Sequence, residues 1–425
     1  MLAVLAATTV VVYDRTAELA LRSYWTLGVL LIAYCLISFV VGRRYLSLPP
    51  ASGRVLAIVP SYNEDLDVLH TTVRSLLDQT RPPDAICVID DGSVYPVQPF
   101  DDPRVTWMRQ ENTGKRGAQC TVLRQFSPDE WDFIVTVDSD SAPYPDAVEH
   151  LLRSMSNPKV QAATGMIYVR NHDKTWVSTA ADMDIGISCV MMRASRSTIG
   201  ALETTSGALA LYRSEILYDH LDAYAVECGT GDDRWLALRA LERGDVVGVY
   251  EAGVETDMPT SLNGTYRQRL RWARSWWWML PYVFKNLSPV KILSPTIGLV
   301  QLVVTPLMLI WILLALVTSH GDRYSGHLWV LGLYVAAYFS VRMGTSALYL
   351  MGRPGVSLRQ KVRLWALGTH LATVLNFFWL MPIRYVALFK LFDNRWQTRV
   401  VAAPAMPAQR TAPMAKPRSL EEARP

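Results

Sequence analysis

Residues Trp131–Asp140 read WDFIVTVDSD, a short apolar run that ends in two acids separated by one serine. Runs of this kind are typical of buried strands. Two similar runs come earlier, RVLAIVP (Arg54–Pro60) and DAICVID (Asp84–Asp90), and the segment Asp67–Thr80 between them has the apolar spacing of a helix. Because strands alternate with helical segments, the sequence predicts an α/β fold with a Rossmann-like, mostly parallel sheet.

Acids follow two of these predicted strands. Asp90 and Asp91 come at the end of the second strand in the chain, and Asp138 and Asp140 come at the end of WDFIVTVD. Ligands of such sheets bind at the carboxyl ends of the strands. Carboxylate oxygens placed there suit Mg²⁺ or Mn²⁺ carrying a diphosphate. Two plainer interpretations stay open, namely DDGS as a turn and DSD as the cap of the helix that PDAVEHLL predicts.

A basic loop could serve the same site. In NTGKRGAQ (Asn112–Gln119), Lys115 and Arg116 lie between glycines and could bind a diphosphate. The loop lacks the GxxxxGK[ST] pattern of a P-loop. An ordinary basic surface loop is the alternative.

Two adjacent acids follow later, in GTGDDRWLALR (Gly229–Arg239). Asp232 and Asp233 repel each other when both are ionised, so placing them in one site costs energy unless a cation or a reaction requires them. The alternative is a solvated helix N-terminus, where acids are favoured.

The composition predicts a protein that is partly soluble and partly embedded in a membrane. The chain has 425 residues, 50% of them hydrophobic, and a net charge of +4. That length exceeds one ordinary core, and the charge is too small to favour a nucleic acid partner. No two cysteines have CxxC spacing, so we expect neither a zinc site nor a disulfide framework. The cysteines are Cys35, Cys87, Cys120, Cys189 and Cys228.

Apolar segments flank the predicted sheet. Tyr24–Val41 is uncharged and long enough to cross a bilayer, and the GRR that follows places its end in the cytosol. Leu2–Tyr13 is apolar but too short to assign. Pro295–Thr318 and Leu328–Met351 are two further predicted spans, and the strongly basic segment Gly352–Arg363 after them is expected inside.

A third apolar run, Leu364–Phe392, is interrupted by Pro382 and Arg384. A single crossing would leave the tail outside, whereas the basic residues that follow favour the inside. A re-entrant or interfacial element would resolve this conflict, and so would a tight double pass. The segment Ala273–Asn286, ARSWWWMLPYVFKN, is expected to form an interfacial helix, with packing in a soluble core as the alternative. The tail Ala402–Pro425 is rich in Ala, Pro and Arg and is expected to be disordered.

The polar motifs occur in a recognisable order. SYNED, DDGS, GKRGAQ, VDSD, AATG, VRN, SGA, GDDR, QRLRW and WQTR follow one another along most of the chain, from about Arg54 onward. In this order they resemble the processive family-2 glycosyltransferases, and most closely the hyaluronan synthases. Three positions depart from the usual pattern of that family: SGA replaces SGP, Arg269 replaces a second glutamine, and WQTR replaces WGTR.

The resemblance implies a GT-A fold in a cytosolic domain inserted between N-terminal and C-terminal transmembrane helices of a plasma-membrane, multi-pass protein. It implies a processive, inverting β-glycosyltransferase that extrudes its product. UDP-N-acetylglucosamine and UDP-glucuronate, polymerised into hyaluronan, are the leading choice. The expected partners are UDP-sugar donors, the growing polysaccharide and membrane lipid. The expected domains are membrane segments (1–45), the transferase domain (50–265), an interfacial helix with the QxxRW box (266–292), a pore-forming membrane region (293–392), and a gating-like element with its tail (393–425).

The resemblance also assigns roles to residues. Asp233 would be the general base that deprotonates the acceptor hydroxyl, with Asp232 raising its pKa by repulsion and Arg234 holding the pair in place. Asp138 and Asp140 would bind Mg²⁺ or Mn²⁺. The donor would contact Tyr62, Asp90, Asp91, Lys115, Asp138, Gln268 and Arg271. The acceptor would contact Trp272 and Ser206, and Trp396 and Arg399 would gate the site.

Other functions stay open at this point. A chitin-type or poly-N-acetylglucosamine synthase, or another capsule polysaccharide synthase, would share these motifs. A non-processive transferase acting on a lipid carrier would need a polyprenyl-phosphate site in place of a pore, and QRLRW argues against it. A non-enzymatic transporter or scaffold is disfavoured because DDGS, DSD and GDDR are all intact.

Overall fold

The computed structural model describes residues 43–229, 231–300, 302–303 and 325–391, together with positions 30, 33–34, 37–38 and 41. Several predictions concern segments outside these residues. They are Leu2–Tyr13, most of the spans Tyr24–Val41 and Pro295–Thr318, the gating residues Trp396 and Arg399, and the tail Ala402–Pro425.

The described residues form one sheet of eight strands. The strands are β1 (Val55–Ser61), β2 (Ala85–Asp91), β3 (Val105–Gln110), β4 (Phe133–Thr136), β5 (Ala142–Pro143), β6 (Val160–Val169), β7 (Ala210–Arg213) and β8 (Asp245–Thr256). Their order is β3-β2-β1-β4-β7-β6-β8-β5. β7 and β5 run antiparallel to their neighbours, and the other pairings are parallel. The sheet is therefore mixed, and the predicted parallel pairing is found for β1 with β2 and β4, for β2 with β3, and for β6 with β8.

Helices cover this sheet and extend beyond it. They are α1 (Leu66–Leu77), α2 (Gly114–Leu123), α3 (Ala147–Met155), α4 (Trp176–Ile185), α5 (Met192–Thr198), α6 (Ser214–Tyr218), α7 (Leu221–Glu227), α8 (Asp232–Arg243), α9 (Leu262–Asn286), α10 (Pro289–Val300), α11 (Ser325–Gly352) and α12 (Leu358–Phe389). The helix predicted over Asp67–Thr80 is α1, which Asp65 caps by accepting a hydrogen bond from the Asp67 amide at 3.0 Å.

Both faces of the sheet are buried, as expected for parallel strands. Alternate residues of β1 belong to different cores because successive side chains of a strand point to opposite faces. Val55, Ala57 and Val59 pack with α1 and α3 on one face, whereas Leu56 and Ile58 pack with α2 and α8 on the other. The helices on both faces leave the carboxyl ends of the strands available for a site.

The C-terminal helices pack against the transferase-like core. α12 is a single continuous helix of 32 residues, and among the described residues it alone is long and apolar enough to cross a membrane, judged by length and composition. The tight double pass considered for Leu364–Phe392 is therefore wrong, because the chain does not reverse there. α12 packs on α4 and α9, and exposed side chains such as Phe378 and Phe389 form an outer apolar face. The predicted span Leu328–Met351 is helical, as part of α11.

Candidate active site

Four charged side chains meet at the carboxyl end of the sheet. Asp138 follows β4, Lys115 lies in the first turn of α2, and Asp232 and Asp233 begin α8. The Lys115 Nζ lies 2.7 Å from Asp138 Oδ1, 2.9 Å from Asp232 Oδ2 and 3.9 Å from Asp233 Oδ1. The structure thus brings the basic loop and two of the three acidic motifs together around one ammonium group.

The segment between α5 and β7 supports this cluster. The Asp138 amide donates to the Gly207 carbonyl at 2.9 Å, and the Thr205 hydroxyl donates to the Asp233 carbonyl at 2.9 Å. A Cβ on Gly207 would lie 2.6 Å from Asp138 Oδ2 and 2.9 Å from Lys115 Nζ, so no larger residue fits without moving them. Ser206 is buried, and its amide donates to the Thr164 hydroxyl at 2.9 Å. Its predicted contact with the acceptor stays a prediction.

The two adjacent acids have different environments. Burial opposes ionisation of Asp232, yet Lys115 holds the pKa of Asp232 below its ordinary value. Burial and the neighbouring charge of Asp232 raise the pKa of Asp233 to about 7. The predicted effect of Asp232 is therefore present, although burial is the larger cause. The Asp233 side chain remains 34% exposed against 10% for Asp232, so Asp233 is the acid that a substrate can reach.

Asp90 and Asp91 accept hydrogen bonds from backbone amides of the neighbouring loops. Asp91 accepts hydrogen bonds from the amides of Thr113 at 2.9 Å and Gly114 at 2.7 Å, where α2 begins. Asp90 accepts from the Ser93 amide at 2.9 Å and also pairs with Arg109.

Both carboxylates are buried. Because they accept hydrogen bonds from loop amides, the turn interpretation of DDGS accounts for part of their role. Tyr62, at the end of β1, is exposed. Direct contact of these three residues with a nucleotide stays a prediction.

The second predicted metal ligand has its own polar partners. The Asp140 carboxylate accepts hydrogen bonds from the hydroxyls of Ser141 at 3.3 Å and Thr256 at 3.4 Å. Asp146, and neither acid of DSD, holds the N-cap position of α3.

Within the described residues, no group of three or more His, Cys, Asp or Glu side chains is placed to hold a metal by itself. Asp138 is 38% exposed and pairs with Lys115, and its predicted role with Asp140 as a metal ligand stays a prediction.

The QRLRW box lies on α9, which Ser261 caps. Arg271 lies near the paired acids, since its charge favours the ionised forms of both Asp232 and Asp233. Gln268 contacts the sulfur of Met258 at 3.5 Å. Trp272 is partly buried against the core that includes β1.

Arg234 differs from expectation. Its guanidinium donates to Glu203 Oε2 at 3.2 Å. Glu203, Thr205 and Gly207 were not singled out from the sequence as site residues, although two of them flank or form the SGA motif. Their contacts join residues that are distant in the sequence, and no local sequence pattern predicts that an acid such as Glu203 is buried.

Comparisons with known proteins agree with this geometry. The family model described as glycosyltransferase-like family 2 matches residues 50–275. A hyaluronan synthase of Streptococcus pyogenes serotype M1 is 29% identical, covering 88% of this chain and 90% of that protein. An N-acetylglucosaminyltransferase of Rhizobium meliloti (strain 1021) is 30% identical and covers 93% of both chains.

A solved structure, the mannosyltransferase PcManGT from Pyrobaculum calidifontis in complex with GDP-Man and Mn²⁺, aligns with a TM-score of 0.49 and 17% identity over 88% of this chain and 100% of that chain. At that score the alignment says nothing about the nucleotide or metal of this chain. The family match covers the whole sheet and the cluster around Lys115. The chain therefore belongs to the glycosyltransferase-like family 2.

Proposed function

We propose that this chain is a membrane-embedded, processive, inverting β-glycosyltransferase that polymerises UDP-sugars and extrudes the product. The observation that carries this proposal is the asymmetric acid pair. Asp233 is partly exposed and its pKa is raised to about 7, whereas the pKa of its neighbour Asp232 is lowered by Lys115. A carboxyl group with a pKa close to the working pH is suited to act as a general base.

The reaction follows from this placement. The acceptor hydroxyl attacks the anomeric carbon of the donor while its proton passes to Asp233. The bond between that carbon and the phosphate oxygen breaks, and UDP leaves with the bonding electrons. Because attack comes opposite the leaving group, an α-linked donor gives a β-linked product. Asp232 stays ionised and keeps the local potential negative, which favours proton uptake by Asp233.

Negative charge develops on the departing diphosphate and needs cations. Lys115, at the start of α2, and Arg271, on α9, are the basic side chains that this site supplies. Asp138 and Asp140 would hold Mg²⁺ or Mn²⁺, which neutralises the leaving phosphates when it is bound. This is the arrangement in which a magnesium ion is held by one or two carboxylates and by its substrate.

The membrane part of the proposal rests on the C-terminal helices. α12 presents an apolar outer face, and α9, which carries QRLRW, exposes Trp278 and Phe284. Tryptophan side chains favour the headgroup level of a bilayer. A catalytic box on such a helix would place the acceptor path beside the membrane, which supports extrusion during growth. We infer a cytoplasmic catalytic domain, since the basic residues that follow the predicted spans favour the cytosolic side.

The sugar is proposed from the relatives. One is named hyaluronan synthase and the other N-acetylglucosaminyltransferase, at nearly equal identity. N-acetylglucosamine is therefore the donor sugar that we propose first, with glucuronate as the second sugar of hyaluronan. A polymer of N-acetylglucosamine alone, or its transfer to a lipid carrier, is the alternative that the second relative favours.

The test is radiolabel incorporation by membranes that contain the chain, with Mg²⁺ or Mn²⁺. UDP-N-acetylglucosamine and UDP-glucuronate are supplied singly and together. Asp233→Asn should abolish incorporation yet keep UDP binding, because the substitution removes the base and leaves the donor contacts. Asp222→Asn is the matched control, since Asp222 lies on the surface with 94% exposure and should leave incorporation unchanged.

The outcomes separate the candidates. Polymer formed only with both donors and degraded by hyaluronidase supports hyaluronan synthesis. Polymer from UDP-N-acetylglucosamine alone moves the choice to a chitin-like product, and label extracted with lipid moves it to a carrier. Polymer synthesis by Asp233→Asn at the wild-type rate would sink the assigned base.

A further inference from the structure

Arg269 occupies the position at which the related transferases usually carry a second glutamine. Its side chain is largely buried, with 13% exposure, and its Nη2 lies 3.4 Å from Asp184 Oδ2 on α4. Its Cζ lies 4.4 Å from the centre of the Trp272 ring. One guanidinium group therefore contacts both an acid of a neighbouring helix and the aromatic residue of the QRLRW box.

Asp184 is itself shared between two arginines. Its other oxygen, Oδ1, lies 3.8 Å from Arg342 Nη2, and the Asp184 side chain is 4% exposed. Arg342 belongs to α11, the helix of 28 residues that contains a predicted span. A buried carboxylate is costly unless cations compensate it. Asp184 therefore links α9 and α11 electrostatically through α4.

We propose that Arg269 is a positioning residue that fixes the orientation of the Trp272 ring and, through Asp184, couples that orientation to α11. This inference rests on the proposed function. A planar guanidinium can stack on an indole and pair with a carboxylate at the same time. A neutral glutamine provides neither a cation for the ring nor an ion pair for Asp184.

Loss of this positioning is expected to affect the binding of the acceptor and to leave the binding of the donor unchanged. Trp272 is three residues from Arg269 on the same face of α9, as i and i+3 residues are. If the ring is held in one orientation, each extended sugar can stack on it while the polymer advances past α11. Released from Arg269, the ring can turn, and the acceptor hydroxyl is then presented less often to Asp233. Donor binding at Lys115 and Asp138 involves other elements and is left intact.

The experiment measures UDP release and sugar incorporation in the same reaction, using the full chain in membranes. The ratio of incorporated sugar to released UDP is compared for wild type, Arg269→Gln, Arg269→Lys and Asp184→Asn. Arg267→Gln is the matched control, because Arg267 lies two residues earlier on the same helix and is exposed. A loss of folded protein lowers both quantities together and leaves their ratio unchanged.

We expect Arg269→Gln to lower incorporation about tenfold, as for the loss of a partly buried cation–π contact. Water then attacks the anomeric carbon in place of the acceptor hydroxyl, so UDP and free sugar are still released and the ratio of incorporated sugar to UDP falls. Arg269→Lys should recover part of the ratio because it restores a cation, and Arg267→Gln should match wild type. An unchanged ratio in Arg269→Gln, measured per amount of folded protein, would overturn the positioning role. Absence of UDP release from wild type with every sugar nucleotide would instead overturn the transferase proposal on which the inference rests.

Discussion

The pH dependence of the reaction tests the assigned base most directly. Asp233 must be ionised to accept a proton, and burial together with Asp232 raises its pKa to about 7. The rate should therefore rise with pH up to about 7 and level off above it. Below the pKa the ionised fraction falls about tenfold per pH unit. The value of kcat/KM at pH 6 should accordingly be about a tenth of its plateau, since kcat/KM reports the free enzyme.

Two substitutions should shift the rising part of this pH profile, its acid limb, in opposite directions. Asp232 raises the pKa of Asp233, so Asp232→Asn should move the limb to lower pH and bring the rate at pH 6 closer to the plateau. Lys115 lowers the pKa of Asp233, so Lys115→Gln should move the limb to higher pH. Both variants are expected to lose absolute activity, because each also changes the charge beside the donor. The test therefore compares the pH at which the rate rises, and the height of the plateau is not used.

The assay is UDP release from saturating and subsaturating donor between pH 5.5 and 9, with Asp222→Asn as the control whose profile should overlay wild type. A flat profile would refute the assigned base. So would a limb near 7 that stays in place in both Asp232→Asn and Lys115→Gln, since the titrating group would then lie outside this cluster.

Three further predictions concern packing and the acceptor. Gly207→Ala should lower activity at least about tenfold without loss of folded protein. The added Cβ would lie 2.6 Å from Asp138 Oδ2 and would displace that carboxylate. Initial rates and donor affinity measure the effect. Trp272→Ala should impair polymer extension more than hydrolysis of the donor to UDP and free sugar, measured in one reaction, because it removes the surface proposed to stack on the acceptor. Arg353→Met should destabilise the chain by about 3 kcal/mol or more, seen in thermal unfolding, because it leaves Asp182 buried without its ion-pair partner.

Each of these predictions has a result that would contradict it, and the first also has a control variant. Gly344→Ala is the control for the first, since a Cβ there meets nothing within 4 Å; equal activity of the two alanine variants would contradict the steric argument. Equal loss of extension and UDP release in Trp272→Ala would indicate a structural role. Unfolding of Arg353→Met at the wild-type temperature would show that the buried pair contributes no stability.

Local pattern was sufficient for the sheet and for part of the site. Apolar runs of strand length and the helical spacing between them predicted β1, β2, β4 and α1. Strands of one direction end at one edge, so Asp138 was expected beside other polar motifs. Repulsion between adjacent carboxylates predicts a raised pKa within the pair, but that Asp233 is the raised acid depends on burial and on the pairing of Asp232 with Lys115.

Contacts between side chains that are far apart in the chain could not be predicted from local pattern. Arg353 and Asp182 are 171 residues apart in sequence, and only packing of the loop after α11 against α4 joins them. The same reason explains why Arg234 pairs with Glu203 and why Arg269 meets Asp184.

The sequence by itself determined three of the strands, β1, β2 and β4, the carboxylates that follow β2 and β4, and the order of the motifs, since each depends on residues close together in the chain. Only the tertiary structure decided that Lys115 lies among Asp138, Asp232 and Asp233. The length of the separating segments does not specify where two charged side chains meet. Their burial on a shared edge of the sheet does, because in that environment each charge requires a partner.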